Sequence, residues 1–172
     1  MERAWMFDHL AITVARIDFL DPALVGQPDV RERGVRIELR PAGSTTDGSG
    51  YASPTMTLQP AICRIDFLES RSGAGDRMHW HPTMESGEPG ERTFDADMPP
   101  DPVGWLKGFL GSLEDYLSRT GVPDAADMAR DLGAVQAAAD DIGVAVDDGL
   151  AWARVTPWPD VEHDARGLAP VS

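Results

Sequence analysis

Arg16-Ile17-Asp18-Phe19-Leu20-Asp21 recurs downstream as Arg64-Ile65-Asp66-Phe67-Leu68-Glu69. A second match follows each copy. Gly34-Val35-Arg36-Ile37-Glu38-Leu39-Arg40-Pro41 aligns with Gly75-Asp76-Arg77-Met78-His79-Trp80-His81-Pro82. Two matched blocks in the same order predict a duplicated strand–loop–strand unit, spanning 9–41 and 56–82. The copies differ where chemistry would sit: Glu38 and Arg40 of the first become His79 and His81 in the second.

Working outward, residues 34–41 alternate cleanly. Val35, Ile37 and Leu39 face one way and Arg36, Glu38 and Arg40 the other, the pattern of a half-buried strand. In the second copy Cys63, Ile65 and Phe67 share one face and Arg64 and Asp66 the other. Met78 and Trp80 point to the core while Arg77, His79 and His81 point away. Duplication places Arg16 and Asp18 on the polar face of the first copy with Arg36, Glu38 and Arg40. Residues 42–54, rich in Gly, Ser, Thr and Asp, read as a mobile loop joining the copies.

The texture then changes. Asp101-Pro102 is a helix start, with Asp as N-cap and Pro at the first helical position. Apolar residues keep helical spacing from Val103 to Leu117, and Gly121 and Pro123 end the run. A second helix is expected over about 124–140, giving a helical hairpin over 101–141. Gly104, Gly108 and Gly111 lie on one side of the first helix and predict a close approach, to the second helix or across a homodimer contact. Asp147-Asp148-Gly149, flanked by apolar residues, predicts a C-terminal β-hairpin over 143–156. The Pro- and Asp-rich tail 157–172 reads as draped on the surface or partly disordered. The whole is expected to be one α+β domain: a mostly antiparallel sheet, then a two-helix hairpin, then a β-hairpin.

Composition narrows the function classes. The 172 residues are enough for one buried core, and a net charge of −14 repels nucleic-acid phosphates and anionic membranes. Lys107 is the only lysine among 15 basic residues, so arginine carries nearly all the positive charge; this composition is expected of a GC-rich bacterial or haloarchaeal genome. Cys63 is the only cysteine, which excludes intramolecular disulfides and cysteine-cluster metal sites. No basic-then-apolar leader and no spanning apolar run are visible, so a soluble, cytoplasmic chain is expected.

His79 and His81, two apart on a strand, project from the same face and make a bite for one metal ion. Asp66, on the strand expected to pair with them or lie near it, and Glu85, just after His81, are the candidate carboxylate ligands. Two His and one carboxylate suit Zn, Fe or Mn with positions left for water or substrate. In a metal-free pocket, Arg64, Arg77 and Arg92 would hold a carboxylate or phosphate while His79 or His81, as catalytic residues, moves a proton. A purely structural alternative has the histidines hydrogen-bonded to Asp66 or Glu85 beside Arg64 and Arg77. The competing class is an interaction or oligomerisation protein working through the glycine face of its first helix.

Gly73, His79, His81 and Glu85 fall on the spacing of the first motif of the cupin superfamily, which this run resembles. That resemblance implies a small metal-binding barrel. The motif's final glycine would fall on Arg92, with Gly90 two residues early, and the second motif is not found. Phe7-Asp8-His9-Leu10-Ala11-Ile12-Thr13-Val14 also resembles the first strand of vicinal-oxygen-chelate enzymes, which would make His9 a ligand. Pro22, Gly26 and Pro28 argue against the helix that follows there.

Overall fold

Alternating and β-branched runs build the sheet, seen in a computed structural model that describes residues 2–22, 26, 30–45 and 55–170. The strands are β1 (Glu2–Met6), β2 (Leu10–Leu20), β3 (Arg31–Thr45), β4 (Thr55–Leu58), β5 (Cys63–Glu69) and β6 (His79–His81). They pair antiparallel throughout in the order β1-β2-β3-β5-β6, with β4 folded back on the end of β3. A separate small hairpin, β7 (Met84–Glu85) with β8 (Glu88–Pro89), follows at once. The α+β class and the antiparallel sheet are as the sequence predicts, and the two matched stretches each fall on an antiparallel pair, β2–β3 and β5–β6. The expected loop over 42–54 begins later, since 42–45 continue β3; residues 46–54 lie outside those described.

The copies pair in different registers. Asp18 lies opposite Arg33, one residue before Gly34, whereas Asp66 lies opposite His79, four residues after Gly75. That offset is odd, and an odd shift in register turns a residue to the other face of the sheet. Arg16 and Asp18 therefore do not share the face of Arg36, Glu38 and Arg40, correcting the expectation from the repeat. They lie with Ile12 and Val14 on the helix side, where the Arg16 guanidinium sits 5.3 Å from the Trp152 ring centroid. The opposite face carries Glu38 opposite Arg64, Arg36 opposite Asp66, and His79 and His81 alongside.

Four helices cover the first face: α1 (Pro102–Gly111), α2 (Leu113–Thr120), α3 (Ala125–Met128) and α4 (Leu132–Ala153). Asp101 caps α1 by accepting from the Gly104 N–H at 2.9 Å. Ser112 separates α1 from α2, and Gly121, with φ of 63°, ends α2 in the left-handed conformation that glycine adopts without strain. Ile12, Ile37, Leu39, Ile65 and Phe67 of the sheet meet Leu106, Leu110, Ile142, Val146 and Leu150 of the helices in one core. Trp80 joins it through an aromatic cluster with Trp105, Phe109 and Tyr116.

Residues 143–156 correct a second expectation. They hold no β-hairpin; α4 runs unbroken through 147–149 to Ala153. Ile142, Val146, Gly149, Leu150 and Ala153 are buried at helical spacing, while Asp147 and Asp148 face water. Gly149 is there for room, since a Cβ would come 2.5 Å from Val35 Cγ2. The close helix contact also falls elsewhere than expected. It is Gly143 of α4 that lies against Val103 and Lys107 of α1, whereas a Cβ on Gly108 or Gly111 would meet nothing within 4 Å. The described chain beyond Thr156, residues 157–170, docks along β2, where Leu20 donates to the Gly167 carbonyl and Ala169 to that of Asp18. His163 Nε2 lies 3.2 Å from Asp18, which also pairs with Arg31 and Arg33. Among the described residues no helix is long and apolar enough to cross a membrane.

Candidate metal centre

β5 and β6 run side by side, so Asp66 and His79 are cross-strand neighbours and His81 follows two residues on, on the same face. The three are 2 %, 3 % and 4 % exposed, which is unusual for groups that can each carry charge. One ligand atom from each lies within 4.8 Å of the others, the only such group among the described residues.

The imidazole hydrogen bonds fix what these rings present. His79 Nδ1 lies 2.8 Å from the Arg77 carbonyl oxygen and His81 Nδ1 2.8 Å from that of Gly90. A carbonyl can only accept, so both Nδ1 atoms donate, and in the neutral rings both Nε2 atoms hold lone pairs. Those two Nε2 atoms face each other at 3.2 Å, and Asp66 Oδ2 lies 3.7 Å from that of His79. Burial pushes the His79 imidazole below its usual pKa, and the Arg92 and His81 charges add to this. The Arg77 carbonyl and Asp66 oppose it without reversing the direction. Two lone pairs and a carboxylate held this close repel unless a metal ion or a shared proton lies between them. Two nitrogens bound tetrahedrally at the usual zinc–nitrogen length stand about 3.3 Å apart.

The surrounding groups hold this arrangement. Arg36 donates to both oxygens of Asp66, from Nε at 2.7 Å and from Nη2 at 3.2 Å. Glu38 accepts from Arg40 and, at 2.9 Å, from Arg64 Nε. Tyr116 Oη lies 3.0 Å from the carbonyl oxygens of Ile62 and Pro82, linking α2 to the start of β5 and the end of β6. Thr93 exchanges two backbone hydrogen bonds with Trp80 and covers the outer edge of β6. A backbone acceptor behind each imidazole and a hydrogen-bonded carboxylate are the outer contacts that ligand side chains need to keep their orientation.

Above the three residues opens a cleft of about 560 Å³. Its lining includes Arg36, Arg64, Arg92, Glu32 and, from the docked C-terminal segment, Arg166 and Leu168.

Of the residues singled out in the sequence, the structure thus brings together His79, His81 and Asp66, with Arg64 in the cleft wall. Glu85 is not brought in; it is exposed on β7 opposite Glu88. The Arg77 side chain is also elsewhere, 3.6 Å from Glu32 and 3.9 Å from Asp76, and contributes only its carbonyl oxygen. His9 lies away from the centre, its backbone N–H donating to Asp131 at 2.7 Å. Arg36 was visible as a polar-face residue, but its contact with Asp66 depends on the β3–β5 register, which the repeat does not encode. The open antiparallel order of the sheet is not the barrel that the cupin resemblance implies. Comparison with protein-family models, curated proteins and solved structures finds no match for the chain.

Proposed function

We propose that His79, His81 and Asp66 bind one divalent transition metal, and that the protein is a metal-dependent small-molecule-binding protein or enzyme. The observation that carries this is the pair of imidazole Nε2 lone pairs facing each other at 3.2 Å, each fixed by a carbonyl behind its ring. Two nitrogens and one carboxylate suit Zn, Fe or Mn and leave positions for water and a ligand in the cleft. A metal there would act as a Lewis acid or lower the pKa of a bound water. His79 and His81 are then ligands, and proton transfer falls to that water. A single proton shared between the two Nε2 atoms would relieve the same repulsion; it is the reading that remains for a protein without metal.

Metal content by mass spectrometry separates the two. The parent protein should carry close to one metal per chain. Asp66→Asn should bind more weakly, His79→Ala/His81→Ala should bind none, and Glu85→Gln should match the parent. A folded parent that takes up no Zn, Co, Mn or Fe(II) would overturn the metal reading and leave the proton-sharing pair.

A further inference from the structure

We infer that the cleft takes a small carboxylic acid with an apolar body, its carboxylate bridging the bound metal and Arg92. This rests on the metal reading above. The volume, about 560 Å³, is that of a small-molecule site. In a chain of net charge −14, the cleft wall nevertheless has four guanidiniums against three carboxylates. Three of the four are committed: Arg36 to Asp66, Arg64 to Glu38, and Arg166 to Asp164. Arg92 is exposed and makes no direct hydrogen bond or ion pair among the described residues, although its charge acts on the Glu32 carboxylate in the same cleft wall. It lines the cleft together with His79 and His81. A guanidinium with no direct contact partner matches the two oxygens of a carboxylate.

The apolar half of the cleft is equally specific. Phe19, Leu68, Pro89 and Leu168 line the same cleft. A ligand with a charged head toward Arg92 and a hydrocarbon body against Phe19, Leu68 and Leu168 satisfies both halves.

The test is calorimetric titration of phenylacetate into Co(II)-loaded protein, with metal content measured before any ligand is added. Phenylacetate should bind saturably and perturb the Co(II) visible spectrum, and 2-phenylethanol should do neither. Arg92→Ala should weaken phenylacetate at least about tenfold with unchanged metal content, and Arg92→Lys should recover part of the loss. Leu168→Ala should weaken phenylacetate but not acetate. Saturable binding that is absent, or undiminished in Arg92→Ala, overturns the inference while the metal reading stands. Tighter binding of phenyl phosphate reassigns the anion and overturns it too. Failure to load metal overturns the metal reading, and the bridging carboxylate with it.

Discussion

At the residue scale, Asp66 depends closely on its neighbours. It is 2 % exposed and its carboxylate is held by Arg36 from the adjacent strand. Removing one partner of a buried ion pair leaves the other charge uncompensated, at a cost of about 3 kcal/mol. Arg36→Ala should therefore destabilise the metal-free protein by about that amount, measured by urea unfolding. A divalent ion at the proposed site would replace the lost positive charge beside Asp66, so zinc should recover much of the deficit. An equal loss with and without zinc would show that no ion compensates the carboxylate. Cys63 is a simpler case. Burial pushes its thiol up to about 12, which leaves almost no thiolate at neutral pH. It should stay unreactive toward a disulfide reagent at pH 8 until the protein unfolds; rapid labelling of the native protein would contradict its burial.

At the element scale, the helices separate glycines kept for space from glycines that merely occur. Gly108 in α1 has nothing near a Cβ, so Gly108→Ala should gain about 0.5–1 kcal/mol from helix propensity alone. Gly149 in α4 faces the stiff, branched Val35 at 2.5 Å, so Gly149→Ala should lose about 1–2 kcal/mol through overpacking. Thermal unfolding of the two variants should move in opposite directions. This contrast also explains why the sequence misleads at 147–149. Asp-Gly is a turn signal only where the backbone takes a positive φ, and Gly149 is not among the residues that do. The burial spacing that makes α4 continuous was present in Ile142, Val146 and Leu150, but it competes with a two-residue alternation over so short a stretch.

At the scale of the whole molecule, the C-terminal segment is tied to the sheet by charge as well as by backbone pairing. Asp18 sits at that junction with Arg31, Arg33 and His163. Burial works against its carboxylate, but the Arg31 hydrogen bond and charge, with His163 and Arg33, hold its pKa below 3.8. The folded state then binds fewer protons than the unfolded chain, so this contribution is complete above pH 3.8 and is lost as pH falls toward the depressed value. Urea midpoints measured from about pH 5 to about pH 2.5 should fall less steeply for Asp18→Asn than for the parent. Equal slopes would remove Asp18 from the acid response. The layered α+β plan was legible because alternation in 34–41 and helical spacing in 103–117 each follow one rule. The pairing of the Asp66 strand with the histidine strand was legible from the repeat. Which face each copy presents was not, because facing depends on a register fixed by contacts between strands distant in sequence.

Five identical residues, Arg-Ile-Asp-Phe-Leu, therefore occupy two environments in one chain. In β2 the aspartate points toward the helices and the phenylalanine is half-buried; in β5 the aspartate points toward the histidines and the phenylalanine is wholly buried. The molecule thus carries its own isogenic control. Exchanging aspartate for asparagine in the first copy should alter acid tolerance and leave metal content alone. The same exchange in the second should lower metal content, with peptide context held constant by the chain itself.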